Sequence, residues 1–202
     1  MIAIIDYHVG NLGSVTNACK RQGMDVVVTY DPEVIRQADG IILPGVGAFP
    51  AAMSNLEACH LVPVLNEVKD KGTPILGICI GMQLLFEEGS ENGHTKGLGF
   101  LKGSVDKMEV DAKLPHMGWN QLVIKQSHTL LKYVEEGDYV YFVHSYSAHC
   151  PEDQIGAYVN YGGKEITAFV YKDNVMGTQF HPEKSGEIGK KILRAFKELV
   201  LC

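Results

Sequence analysis

The chain has 202 residues, enough for one domain with a full layered core and too long to depend on disulfide or metal staples. Eighteen Lys and Arg against 24 Asp and Glu give a net charge of −6, and apolar residues make up 46 %. That balance excludes a disordered chain and offers no basic surface for nucleic acid. Five cysteines stand at Cys19, Cys59, Cys79, Cys150 and Cys202, odd in number and without a Cys-x-x-Cys pair, which argues against a disulfide framework or a zinc ribbon and for a reducing cytoplasm.

The opening Met1-Ile2-Ala3-Ile4-Ile5-Asp6 has no basic segment before its apolar run and reaches an acid too early for a secretory signal. No stretch of about 18 apolar residues is long enough to span a membrane. Ile2–Asp6 instead reads as a buried strand. Asn11 is placed to cap a helix running through Lys20, with Gly23 near its end, and Asp25–Thr29 follows as a β-branched strand. Gly40–Leu43 is a third strand. Residues 49–71 are helical in pattern, interrupted by Pro63. Thr73–Ile78 is a fourth strand, and Ile80–Glu88 opens another helix. This alternation predicts βα units feeding a parallel sheet.

From Gly97 the texture changes to strand-like runs divided by Gly, Asn and Asp: Phe100–Val105, Trp119–Ile124, Asp138–His144, Ile155–Tyr161, Glu165–Tyr171 and Val175–Phe180. Lys172-Asp173-Asn174 reads as a hairpin turn between the last two. Ser185 precedes a closing amphipathic helix with Ile188, Ile192, Ala195, Phe196, Leu199 and Val200 on one face. No repeat or linker divides the chain, so residues 1–202 are expected to form a single domain.

Ligands of open parallel sheets bind beyond the carboxyl ends of the strands, which directs attention to three loops. Gly77-Ile78-Cys79-Ile80-Gly81 has the G-x-nucleophile-x-G form of a nucleophile elbow, with a thiol as the nucleophile. The start of the following helix favours thiolate there, and the Ile80 amide is placed to meet an oxyanion. Cys79 as a plain core residue is the competing reading. Among eight histidines, His181 in His181-Pro182-Glu183 is the best base: Pro182 biases it toward an extended conformation, which sets Glu183 on the same side to orient the imidazole. A solvated surface His-Pro-Glu is the alternative. His144 is a rival base with no acid within two residues, and His60, His94, His128 and His149 are expected in solvent. Pro44-Gly45-Val46-Gly47 supplies closely spaced amides for an oxyanion, or is simply a tight turn; it lacks the lysine of a P-loop and the third glycine of a dinucleotide site.

Taken together, Pro44-Gly45-Val46-Gly47, Gly77-Ile78-Cys79-Ile80-Gly81-Met82-Gln83 and Gln179-Phe180-His181-Pro182-Glu183 resemble the class I (triad) glutamine amidotransferases. Further runs, Asp6-Tyr7 with Gly10-Asn11-Leu12, Pro115-His116-Met117-Gly118-Trp119-Asn120, Tyr141–Tyr146 and His181–Gly186, are similar to the branch that serves histidine biosynthesis, so the likeness covers nearly the whole chain. It implies a flavodoxin-like three-layer α/β/α fold, a central mostly parallel sheet with added antiparallel strands, and no cofactor or metal. It also implies hydrolysis of L-glutamine through a thioester, with Cys79 attacking, His181 moving protons and Glu183 holding His181. Val46, Gly47 and Ile80 would supply the oxyanion amides, and Gln83, Glu91, Ser145 and Tyr146 would contact glutamine, Glu91 at its α-ammonium. The ammonia would pass to a separate cyclase subunit, a (β/α)8 barrel of the HisF kind, forming a heterodimer. Pro115, His116, Met117, Gly118, Trp119, Asn120, Tyr141 and Lys184 would face that partner. His8 departs from the Gly or small residue that many relatives carry after Asp-Tyr. A glutaminase serving another synthase, a cysteine peptidase or hydrolase on the same scaffold, and a non-catalytic thiol protein remain as competing readings.

Overall fold

The computed structural model describes residues 1–201; Cys202 lies outside the described residues. Four short apolar runs form parallel strands: Ile2–Ile5 (β1), Val26–Thr29 (β2), Gly40–Leu43 (β3) and Ile75–Ile78 (β4). Every residue of β1, β3 and β4 is buried, as expected where helices cover both faces of a sheet. The helices of this half are Leu12–Arg21 (α1), Pro32–Gln37 (α2), Phe49–Ala58 (α3), Leu61–Asp70 (α4) and the single turn Ile80–Gln83 (α5).

The second half contributes Glu88–Gly89 (β5), Thr95–Lys96 (β6), Ser104–Lys107 (β7), His116–Gln121 (β8), Val123–Ile124 (β9), Tyr139–His144 (β10), Tyr146–His149 (β11), Ile155–Tyr161 (β12), Lys164–Lys172 (β13), Val175–Thr178 (β14) and a last helix, Gly186–Val200 (α6). The main sheet runs β2-β1-β3-β4-β14-β13-β12-β9. Its first five strands are parallel in the flavodoxin-like order, and the remainder is antiparallel. Helix α1 packs against α6, and α4 against α2 and α3, giving the three-layer α/β/α architecture. Strands β8 and β10 pair as a separate two-stranded ribbon, and β11-β7-β5-β6 form a small sheet.

Several local expectations are corrected. The break in residues 49–71 falls at His60, which has φ 55°, and not at Pro63. Pro63 sits in the first turn of α4, where its missing N–H had no intrahelical partner to lose. Helix α2 was not expected, although Asp31-Pro32 is a clear start signal: the Asp31 carboxylate accepts from the Glu33 amide at 2.9 Å and Pro32 occupies the first turn. The helix expected over Ile80–Glu88 ends at Gln83, and the strands expected at Phe100–Val105 and Trp119–Ile124 are displaced to β7 and to the pair β8 and β9. Neither Asn11 nor Ser185 caps a helix with its side chain; both are engaged by the site described next. No helix among the described residues is long and apolar enough to cross a membrane.

Candidate active site

Strands β4 and β14 are parallel neighbours with Ile78 opposite Thr178, so the segments leaving them emerge side by side. Cys79 leaves β4 and donates its amide to the Thr178 carbonyl at 2.8 Å. Its backbone lies at φ 55°, ψ −110°, a strained conformation for a non-glycine residue. The strain falls on Cys79, while Gly77 and Gly81 give space: a Cβ on Gly77 would lie 2.6 Å from the Gly81 carbonyl oxygen, and one on Gly81 would lie 1.8 Å from the Leu43 carbonyl oxygen. Gly45 has the same role in the neighbouring loop, where a Cβ would meet the Tyr7 hydroxyl at 2.7 Å. Buried Tyr7 donates that hydroxyl to the Pro44 carbonyl, tying the first loop to the second.

His181 and Glu183 meet with Nδ1 2.8 Å from Oε1, and both side chains are 1 % exposed. The solvated surface reading of this pair is thereby removed. His181 is extended, as Pro182 requires, but Pro182–Lys184 forms a 3-10 turn, and it is this turn that carries Glu183 back to the imidazole. Asn11, at φ 75°, spends its amide on the same acid: Nδ2 donates to Glu183 Oε1 at 2.6 Å. Glu183 Oε2 is buried without a partner. The histidine backbone is clamped by the β8–β10 ribbon. The His181 amide donates to Tyr141 O at 3.0 Å, and the Ser185 hydroxyl accepts from the Tyr141 amide while donating to His181 O at 2.6 Å.

Burial alone pulls the His181 pKa down, but the adjacent Cys79 sulfur and the Glu183 carboxylate outweigh it and raise it to about 9. His181 is therefore protonated at neutral pH and loses its proton only in the alkaline range. A 15N titration should show its midpoint near 9 in the wild type, and both Cys79→Ala and Glu183→Gln should move it downward. A midpoint near 6.5 that neither substitution moves would contradict this account.

These groups line a cavity of about 310 Å³ whose wall includes Val46, Gly47, Cys79, Ile80, Gln83, Glu91, Ser145, Tyr146 and His181. The backbone amides of Val46, Gly47 and Ile80 donate to no acceptor among the described residues. Gln83 Nε2 donates to Gln179 Oε1 at 3.0 Å and to Tyr146 O at 3.2 Å, which leaves Gln83 Oε1 buried and bare. Glu91 accepts from the Phe49 amide at 2.8 Å, so one of its oxygens caps α3. Gln179, not among the expected site residues, donates Nε2 to Cys79 Sγ at 3.8 Å; its place one residue from Phe180-His181 was the available signal. The chamber thus presents a nucleophile, a charged acid–base group, free amides and one bare acceptor, the set needed to open and reclose a small amide.

His144 also lines the cavity, buried and paired to another histidine, and it makes no contact with an acid. His60, His94 and His149 are exposed as expected, whereas half-buried His128 packs between Phe169 and Tyr171 and accepts from the Leu130 amide. Of the residues expected to face a partner, Met117, Trp119, Tyr141 and Lys184 lie on one outer surface. There Trp119 meets the Tyr141 ring edge-on at 6.0 Å and Lys184 Nζ lies 5.9 Å from the same ring. Tyr139, unanticipated, extends this patch. Gly118 and Asn120 are half-buried, and Pro115 borders the cavity. His116 is 3 % exposed and is corrected from a surface contact to an interior residue. Exposed His8 donates its amide to the Asp6 carboxylate at 3.2 Å in the first loop.

Comparison with known proteins places this geometry in context. The family model "Glutamine amidotransferase class-I" matches residues 3–199. "Imidazole glycerol phosphate synthase subunit HisH" from Lactococcus lactis subsp. lactis (strain IL1403) is 54 % identical over 197 residues, covering 98 % of both chains. The protein of the same name from Bacillus cereus (strain G9842) is 52 % identical over 200 residues, covering 99 % of this chain and 95 % of its own. Among solved structures, a glutamine amidotransferase superposes with a TM-score of 0.78 at 17 % identity, covering all of both chains. A second glutamine amidotransferase, from Thermotoga maritima, superposes with a TM-score of 0.66 at 16 % identity, covering 99 % of this chain and 83 % of that one.

Proposed function

The chain belongs to the class I glutamine amidotransferase family, and from that premise we propose that it is the glutaminase subunit of an imidazole glycerol phosphate synthase. The observation that carries the chemistry is the convergence of Cys79, the His181–Glu183 pair and three unengaged backbone amides on one amino-acid-sized chamber. What selects the branch is identity above 50 % to HisH proteins along almost the full chain. A family match over residues 3–199 supports one amidotransferase domain.

With His181 holding the shared proton, the Cys79 sulfur attacks the side-chain amide carbon of glutamine, and the amides of Val46, Gly47 and Ile80 receive the oxyanion. His181 returns the proton to the departing nitrogen, releasing ammonia and leaving a glutamyl thioester on Cys79. Water, deprotonated by His181, then cleaves the thioester to glutamate and frees the Cys79 sulfur beside the reprotonated imidazole. Glu183 holds the imidazole through Nδ1 and Asn11 holds Glu183. Gln83 Oε1 and Glu91 accept from the substrate's donors, and Ser145 and Tyr146 close the chamber.

The partner is a cyclase subunit, a (β/α)8 barrel of the HisF kind, that consumes the ammonia. The patch of Met117, Trp119, Tyr139 and Tyr141 with Lys184 has the aromatic-rich, cation-bearing make-up of an interface core. Ammonia release from glutamine, with and without this cyclase and its nucleotide ligand, tests the assignment. Activation by the cyclase is expected; activation by an anthranilate synthase partner instead, or turnover of peptides or esters with none of glutamine, would overturn it. In the same assay Asn11→Gly, which keeps the left-handed backbone and removes only the amide, should lower kcat about tenfold, the kinetic equivalent of one charge-assisted hydrogen bond. An unchanged kcat would show that Glu183 needs no second holder.

A further inference from the structure

We propose that His116 and His144 are positioning residues for glutamine, forming a directed relay of N–H donors that fixes the Tyr146 carbonyl and hence the presentation of Gln83 to the substrate. This rests on the glutaminase reading above. His116 and His144 face each other directly in the β8–β10 register and point to the inner side of the ribbon, whose outer side carries Met117, Trp119 and Tyr141. Both are buried, 3 % and 6 % exposed, and His116 is held flat between the Phe142 and Tyr161 rings at 4.7 and 4.0 Å.

The proton positions follow from the acceptors. The Tyr146 carbonyl can only accept, so His144 Nδ1, 2.8 Å away, carries a hydrogen. In a neutral ring Nε2 is then an acceptor, and the group beside it at 3.1 Å, His116 Nδ1, must donate. That leaves His116 Nε2 as an acceptor for Asn120 Nδ2 at 3.3 Å. The Asn120 amide cannot be turned round, because Nδ2 also donates to Asn160 O at 3.0 Å and Oδ1 accepts from the Gln121 amide at 2.8 Å. Every ring nitrogen is thus accounted for with one proton per ring, running from Asn120 through His116 and His144 to Tyr146. A second proton on either ring would set donor against donor, and burial pushes both pKa values down to about 4.

The relay ends where the substrate begins. Tyr146 O accepts from both His144 Nδ1, at 2.8 Å, and Gln83 Nε2, at 3.2 Å. With Gln179 Oε1 also drawing on Nε2, the Gln83 amide has one orientation, and its oxygen is the atom left bare for the substrate. Without the His144 donor, Tyr146 O loses a restraint and Gln83 loses its definition.

Two measurements test this. In the wild type, 15N spectra of the imidazoles should show His116 and His144 both protonated at Nδ1. In the cyclase-bound enzyme, His144→Asn places an amide donor where Nδ1–H was and should keep the KM for glutamine within about threefold. His144→Gln reaches the Nε2 position, toward His116, but has no donor for Tyr146 and should raise KM about tenfold with a smaller change in kcat. Packing predicts the opposite ranking, because asparagine leaves the larger void, so His144→Asn should have the lower Tm. A KM that follows Tm, or Nε2–H at either ring of an active glutaminase, would overturn the positioning role alone. Correct tautomers in a wild-type complex that hydrolyses no glutamine would overturn the glutaminase reading, and the role assigned to the relay with it.

Discussion

Replacing Cys79 with alanine should lower cyclase-activated glutamine turnover by about 10⁴- to 10⁶-fold, the scale on which removal of a covalent nucleophile acts. Glutamine binding should persist, because the groups assigned to hold the substrate, Gln83, Glu91, Ser145 and Tyr146, make no hydrogen bond to the sulfur, whose partner is Gln179, and the free amides are backbone. Folding should persist too. Alanine at φ 55° bears much the same backbone strain as cysteine, and the side chain removed is small. The variant therefore separates chemistry from binding: ammonia release gives the first, and thermal shift or calorimetry with glutamine the second. Residual turnover within tenfold of wild type would assign the reaction to another nucleophile. Among the described residues Cys19 is the other buried thiol, but burial and the Glu183 charge push its pKa up to about 12, and Cys150 is raised to about 11. Neither lines the substrate chamber.

The parts of this architecture legible from sequence are those written in local pattern. The parallel strands at Ile2, Val26, Gly40 and Ile75 announce themselves as apolar runs, and Cys79 and His181 stand in loops that such strands deliver to one edge. What was not legible depends on contacts distant in sequence. Asn11 looks like a helix cap until Glu183, 172 residues away, takes its amide, and Ser185 looks like another until Tyr141 and His181 share its hydroxyl. His116 sits within a run that otherwise supplies outward aromatic residues, and only the strict alternation of β8, seen once its pairing with β10 is fixed, turns it inward. Helix α2 is a different kind of miss, since Asp31-Pro32-Glu33 carried a local signal and the segment's brevity hid it.

The second large effect lies in a residue that touches no substrate. Gly81→Ala should destabilise the protein by more than about 3 kcal/mol and take glutamine turnover with it, because the added methyl would sit 1.8 Å from the Leu43 carbonyl oxygen and 3.3 Å from the Pro44 carbonyl carbon. Overpacking against side chains is relieved by rotamer changes; here the obstacle is the backbone at the end of β3, where the strand leads into the Pro44-Gly45-Val46-Gly47 loop. Any relief must push α5 away from that loop, which moves the Ile80 amide and Cys79 relative to Val46 and Gly47 and disperses the amides proposed to receive the oxyanion. Gly13→Ala is the matched control. Gly13 lies in α1 with nothing within 4 Å of its would-be Cβ, so the same substitution should add about 0.5–1 kcal/mol through helix propensity. Denaturant unfolding of the two variants should therefore move the midpoint in opposite directions. A Gly81→Ala protein with wild-type stability and turnover would mean that the elbow is not wedged between β3 and β4 as this geometry requires.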